Sequence, residues 1–387
     1  MPSTLKAITQ YFGLSIALLL LAGHSHANNN GDLQFHGFFS QAYLLSDGNN
    51  FYGDSQRGST DYMEAAVNAT WRVAPALNIA GQVLSRDAGN SANGGLDIDF
   101  LFADLKAIET EESGLGFRLG RVRNAYGFYN DTRDVLFTRS TILMPQAVYF
   151  EGNGLRELLF ATDGAQLYSY WDANENSTSL NFTLGRNEKS ISSETIKNLF
   201  GAAAASIVHK GEVKSPIYAQ LLHSRNGGDS KFAVSVLNVQ IDLHSAAGSF
   251  GDLSLDATGY VLSAQKNLAM WTFTGEYSLI TTDFTSIQGS QSQKIEAAYL
   301  QAQYRLRPSV TLTSRYELSY LDRERRSETD SHNVVLGLRW LPAANWVIDT
   351  NIYGIRGTSG IPIVDNSRNS RLDERTEMFA IMIGYRF

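Results

Sequence analysis

The side chains able to do chemistry in this sequence are charges placed at two-residue spacing. In "VTLTSRYELSY" (Val310–Tyr320), Thr311, Thr313, Arg315, Glu317 and Ser319 alternate with Val310, Leu312, Tyr316, Leu318 and Tyr320. Arg72, Arg86, Arg305, Arg339 and Arg386 occupy the polar phase of similar segments. Guanidinium is rigid and always charged, so a row of it holds a fixed field in a narrow aqueous space. A second set of charges, Asp131, Arg133, Asp134 and Arg139, lies within "LGRVRNAYGFYNDTRDVLFTRSTILMPQAVYFEG" (119–152). This is the chemistry of an electrostatic filter. A catalyst is a poorer match: after the first 27 residues His36, His209, His223, His244 and His332 are scattered, with no serine signature beside them. The chain has no cysteine, which removes disulfides and thiolate metal sites, and no metal or cofactor is expected.

The elements that must position these charges are strands. Sixteen segments alternate in the same way: 33–44, 62–72, 77–86, 96–107, 115–123, 158–171, 178–186, 216–224, 231–243, 253–262, 270–280, 294–306, 310–321, 331–341, 346–356 and 377–387. Most are about ten residues long, the length of a tilted strand crossing an outer membrane. With 18 Tyr, 20 Phe and 33 Gly against only 7 Pro, the composition suits strands. Every second connection is short, as in "APA" (74–76) or "RPS" (307–309), and the others include long polar stretches such as 45–61, 124–157, 187–215 and 357–376. That is the pattern of an all-β, up-and-down transmembrane barrel with turns at one end and loops at the other. All five tryptophans, Trp71, Trp171, Trp271, Trp340 and Trp346, fall on the short-turn side, as an interfacial aromatic girdle does. A soluble β-sandwich also alternates, but its strands are usually shorter.

An arginine facing lipid near the midplane costs roughly 2–4 kcal/mol, so the arginines of the alternating segments must face inward. Sixteen strands enclose a space too wide for the strands' own side chains to fill, and a lumen this polar is expected to be hydrated. The stretch after the fifth strand is too apolar for an exposed loop: Tyr126, Phe128, Phe137, Ile142, Leu143, Met144, Val148 and Phe150 must be buried, and the lumen is the place available. Its four charges then stand in the narrowed lumen opposite the arginine wall. Arg121 and Arg123 share a phase with Leu119, and become luminal only if a bulge near Gly120 shifts the register.

At the N-terminus, Lys6 precedes a 13-residue apolar run (11–23), and "SHA" (25–27) follows. That run is too short to span a bilayer as a helix and reads as a secretory leader ending at Ala27, with the barrel in 28–387. Without Lys6 the remainder has 31 basic and 39 acidic residues, a net charge of −8, which argues against nucleic acid as a partner.

The inward third loop, sixteen strands and a terminal phenylalanine resemble the trimeric outer-membrane porins of Gram-negative bacteria. "LQFHGFFSQAYLLSDGNNFYG" and "GFYNDTRDVLFTRS" look like a porin-like branch of environmental proteobacterial proteins, with a weaker likeness to phosphate-selective porins. The resemblance covers the chain after the leader. It implies passive diffusion of small hydrophilic solutes, a homotrimer in outer-membrane lipid, and a constriction between loop 3 and the wall. It also implies that Phe387 is read by the outer-membrane assembly machinery. The lysine-rich eyelet of phosphate-selective relatives is not matched here. An adhesive barrel or an outer-membrane enzyme remains an alternative. An energy-coupled receptor is not expected, since only about five residues separate Ala27 from Leu33, far short of the plug of well over ~100 residues that such receptors carry ahead of a plugged lumen.

Overall fold

The computed structural model describes residues 32–150, 155–245, 251–366 and 372–387. The expected leader, 1–27, lies outside the described residues. Alternation of the kind seen in the sequence produces sixteen long strands: β1 (Leu33–Asp47), β2 (Tyr62–Ala74), β3 (Leu77–Ala88), β4 (Asn93–Glu109), β5 (Ser113–Arg123), β6 (Ala161–Ala173), β7 (Asn176–Gly185) and β8 (Val208–Arg225), then β9 (Ser230–Ser245), β10 (Leu253–Asn267), β11 (Trp271–Ser286), β12 (Gly289–Arg307), β13 (Val310–Tyr320), β14 (Asp330–Ala343), β15 (Trp346–Arg356) and β16 (Arg375–Arg386). Each pairs antiparallel with its neighbours. β1 pairs with both β2 and β16, so the sheet closes into a barrel and no sandwich forms. A two-residue strand, Lys189–Ser190, adds to the upper part of β8.

The closing seam explains the aromatic ending of the sequence. Phe38 lies opposite Arg386, and the Phe387 backbone exchanges hydrogen bonds with Gly37 at 3.0 and 3.2 Å. The Phe387 ring lies over Gly37, where a Cβ would come within 2.4 Å of it, so glycine is needed for this close approach.

The outward face is a belt of exposed apolar side chains. It includes Leu101, Leu119, Leu300, Leu336 and Ile352, far more apolar area than a soluble surface carries. All five tryptophans are exposed on the short-turn side, where Trp271 stacks on Phe273 and Trp346 lies against Tyr385. The opposite phase faces inward, as on β13, where Thr313, Arg315, Glu317 and Ser319 are buried.

Several boundaries differ from expectation. The sixth strand begins at Ala161 because 155–159 forms a helical turn, α2 (Leu155–Leu159), after a shorter one, α1 (Gln146–Tyr149). The eighth begins at Val208, and 200–206 belongs to a helix, α3 (Ser193–Ile207). The connections 89–92 and 287–288, on the long-loop side, are as short as turns.

The inward faces of β1, β15 and β16 depart most from the expected hydrated lumen. Ala42, Leu44, Val347, Tyr353, Ala380 and Met382 pack with Leu136, Ile142 and Leu143 of the third long connection. A second cluster joins Tyr126, Met144, Val148 and Tyr149 of that connection to Leu237, Val239, Val261 and Tyr299 of β9, β10 and β12. Ile196 of α3 packs in this cluster too. Met382, whose phase suggests an open luminal site, is therefore fully buried and has no room for a charged side chain.

Candidate functional site

Loop 3, the connection 124–160, touches the inner face through charged anchors at separate points of the wall. Glu64 on β2 holds Arg139 at 2.5 Å, with Tyr62 Oη 3.2 Å from the same guanidinium. Arg315 on β13 pairs with Glu317 at 2.7 Å, and donates to Thr141 Oγ1 at 2.6 Å and to the Leu143 carbonyl at 3.0 Å. Glu317 in turn accepts the Ala147 N–H at 2.9 Å. Arg339 on β14 pairs with Asp349 at 2.6 Å and donates to the carbonyls of Leu136 and Phe137. Glu276 on β11 accepts from Tyr149 and Tyr299 hydroxyls at 2.6 and 2.8 Å, from Ser263 at 2.5 Å and from the Phe128 N–H at 2.9 Å.

These contacts correct the expected roles of several residues. Arg315, Glu317 and Arg339 face inward as the phase requires, yet they are anchors beneath loop 3 and no open ladder. Arg139 belongs with them. Arg86 is 7% exposed, 3.6 Å from Glu64, with the Tyr52 and Tyr62 rings beside it. Arg133 braces the loop internally, donating to Asn130 Oδ1 at 3.0 Å and the Tyr149 carbonyl at 3.2 Å. Of the four expected loop charges only Asp131 is exposed. Arg72 and Arg305 are exposed at the short-turn end, where Arg386 lies over the Phe137 ring.

The charges that do come together lie on the β4–β6 side. The β3–β4 register passes from Gln82↔Phe100 to Val83↔Ile98, which leaves Asp99 opposite no residue. This bulge turns Asp99 inward, where Gln82 Nε2 reaches it at 2.9 Å. On β5, Gly120 adopts φ +133°, and a Cβ there would sit 2.3 Å from the Leu101 carbonyl, so only glycine permits the twist. Beyond it Arg123 reaches Asp99 at 2.8 Å and stacks on Phe100, while Arg121 bonds Asp163 and the Asp99 carbonyl, both at 3.1 Å. The bulge expected near Gly120 is not there: the β4–β5 and β5–β6 ladders both run through it without a register shift, and the local change is confined to the positive φ of the glycine.

Arg156 of α2 completes the cluster. It lies 3.4 Å from Asp99 and grips Asp134 at 2.5 and 2.9 Å. Burial pushes the Asp134 carboxyl up, but the Arg156 guanidinium, aided by Arg123 and Arg133, outweighs this and holds it down at about 2. Farther down the wall Arg118 lies between Asp104 and Gln166, against Tyr168.

Two cavities flank the cluster. One of about 810 Å³ lies on its long-loop side and is lined by Arg86, Asp97, Asp99, Arg156 and Asn198. The other, about 200 Å³, lies on the short-turn side between Phe100, Phe102, Arg118, Arg123, Asp131 and Asn181. The Arg123–Asp99 pair stands where they meet. Asp99, Arg118 and Arg156 are the members that sequence reasoning missed, whereas Glu64 and Glu276 have the inward phase their strands require and only their anchoring of loop 3 was not foreseen.

The histidines do not converge. His223 bonds Thr178, His244 bonds Asp252, and His332 bridges Tyr316 and Asp330. Among the described residues no cluster of side chains suits a metal ion.

No protein-family profile and no curated protein matches the sequence. Solved structures do match. An anion-selective porin from Comamonas acidovorans superposes with a TM-score of 0.57 at 13% identity, over 92% of this chain and 99% of that one. The outer-membrane channel DcaP of Acinetobacter baumannii gives 0.57 at 10% identity, over 92% and 97%. Salmonella typhi OmpF, in complex with daunomycin, gives 0.58 at 13% identity, over 93% and 99%.

The chain has the porin fold. At these identities the likeness is one of architecture, a closed sixteen-stranded transmembrane barrel, and the site must be argued from its own residues.

Proposed function

We propose that the protein is an outer-membrane porin, a water-filled channel through which small hydrophilic solutes and ions diffuse passively. The observation that carries this reading is the asymmetry of the lumen. Loop 3 is fastened to the β1–β2 and β8–β16 walls, and the two cavities, each lined by charged side chains, lie on the β3–β7 side. The constriction on that path is the Asp99–Arg123–Arg156–Asp134 cluster, with Arg118, Arg121, Asp131 and Asp163 around it. Both signs are present, which favours weak ionic selectivity in a general diffusion channel. The barrel works as a homotrimer, is exported by a leader cleaved after Ala27, and is assembled through its terminal Phe387.

A second reading is an anion-selective channel. Arg118, Arg121, Arg123 and Arg156 succeed one another along the path, and an ordered series of guanidinium groups favours anions. Single-channel recording in a planar bilayer tests both. Ohmic steps in groups of three support the trimeric channel, and a silent protein overturns it. The reversal potential in a salt gradient then separates weak selectivity from anion preference.

A further inference from the structure

We propose that the barrel wall has a side slot between β4 and β5 that binds a single-chain amphiphilic carboxylate approaching from the membrane. The β4–β5 ladder ends at Leu101↔Arg121, whereas β4 continues through 93–100 paired to β3 alone. β5 meanwhile stays paired to β6 as far as Arg123↔Ala161. The two strands therefore part above Leu101, and among the described residues one edge of β4 has no strand beside it. Backbone groups left open to hydrocarbon cost several kcal/mol each, so such an edge must be wetted or covered.

The 810 Å³ cavity lies along this edge. It touches Asp97, Ile98 and Asp99 in succession, and on its far bank Arg121, Asp163 and Lys189. Successive side chains of a strand point to opposite faces. The bulge breaks that rule at Asp99, which is turned inward and buried while Ile98 is exposed on the outer belt, so a cavity touching both lies beside the strand and passes through the plane of the wall. Its outer lip is apolar: Leu96, Ile98 and Leu101 are 66%, 54% and 48% exposed. Its inner end reaches Phe160 of the lumen and Asn198 of α3.

Charge and height fit a carboxylate head with an alkyl tail. Arg121 uses two of its five N–H donors, on Asp163 and the Asp99 carbonyl, and lines the cavity. Leu101 stands eight residues above Glu109 at the tryptophan rim. At ~3.3 Å per residue and ~45° of tilt, that places the slot about 19 Å up an apolar band ~25 Å tall. A single-chain amphiphile in the bilayer holds its head near that level and its tail below it. The lining carries four cations, Arg86, Arg121, Arg156 and Lys189, against Asp97, Asp99 and Asp163. The head meets Arg121 and Lys189, which share Asp163 at 3.1 and 3.2 Å, while the tail runs over Leu101 and Leu119. The cavity volume is within the ~300–1,000 Å³ of ordinary small-molecule sites.

The test is photolabelling in phosphatidylcholine vesicles with a ten-carbon carboxylic acid bearing a diazirine, mapped by mass spectrometry. Label concentrated in 96–101 and 119–123, displaced by decanoate but not by decanol or acetate, supports the slot. Arg121→Gln with Lys189→Gln should then cut the labelling at least tenfold, and Arg121→Lys should restore part of it. Label spread evenly round the belt, or displaced equally by decanol, overturns the proposal without recourse to any variant. So does a slot that labels in the monomer and is silent in the trimer, which would mean that a second copy covers it. Because the readout is a labelled peptide and no current, a failure of the channel reading leaves this result standing by itself.

Discussion

Arg139 and Glu64, 75 residues apart in sequence, meet at 2.5 Å with side-chain exposures of 1% and 0%. This pair ties the middle of loop 3 to β2, and Arg86 shares the same carboxylate. Removing one partner of a buried ion pair leaves a charge in low dielectric and costs about 3–5 kcal/mol. Glu64→Gln should therefore lower the temperature at which the folded band is lost on heated gels, and raise the open-channel current by freeing the loop. Arg139→Met added to Glu64→Gln should cost little more, because both remove the same contact.

Glu276 gathers four donors from the wall and from both ends of loop 3. Glu276→Leu leaves the Tyr149 and Tyr299 hydroxyls unsatisfied, at ~1–3 kcal/mol for each buried group. The expected outcome is a noisier channel with frequent brief closures and chymotryptic cleavage near Tyr149. Glu276→Gln, which keeps two acceptor lone pairs, should lie between it and the unaltered protein.

The Asp134–Arg156 clamp fixes a pH dependence. The Asp134 carboxyl is held at about 2, below its ordinary value of 3.8. A depressed carboxylate stabilises the fold above the unfolded pKa, and that contribution disappears as pH falls through the folded one. Loop 3 should stay clamped down to near pH 4 and loosen between about pH 4 and 2, losing on the order of 2 kcal/mol. Protease sensitivity of the loop measured across that window checks this, and Asp134→Asn should be sensitive at every pH.

The strands were legible because lipid outside and water or loop inside enforce a two-residue period along the whole wall. β13 and β16 show their facing residue by residue. The anchors were harder to read. Arg315 and Arg339 carry the same phase whether they meet water or a buried carbonyl, and only the path of loop 3 decides between them. Asp99 had a signal that went unread: Asp97 and Asp99 share parity with Leu101 and Leu105, so either two carboxylates face lipid or the register slips. The slip at Asp99 resolves that conflict, whereas at Gly120 both ladders keep their register and only the positive φ of the glycine marks the change. Arg156 lies in a single helical turn just ahead of β6, too short to show any period.

Facing and filling can be separated by three arginine substitutions. Ile381 faces outward on β16, and Ile381→Arg should impair assembly by roughly 2–4 kcal/mol of lipid exposure. Met382 faces inward but is packed on loop 3, so Met382→Arg should fail as well. Thr70→Arg, on the inward phase of β2 where the wall is exposed, should assemble normally. Heat-modified gel mobility reads all three. If Met382→Arg folds as well as Thr70→Arg, loop 3 does not lie against β16.

The Arg123–Asp99 pair stands between the two cavities, which makes each member a test of where solutes pass. Arg123→Gln leaves the Asp99 charge less balanced on the path, so the reversal potential in a salt gradient should move toward cations. Asp99→Asn should move it toward anions, because Arg123 and Arg156 then lack that partner. A control on the opposite wall, Asp349→Asn beneath loop 3, should destabilise the barrel while leaving the selectivity of the surviving channels unchanged, since Asp349 is 1% exposed and bonded to Arg339. Selectivity that follows Asp349 and ignores Asp99 would place the path on the other side of loop 3.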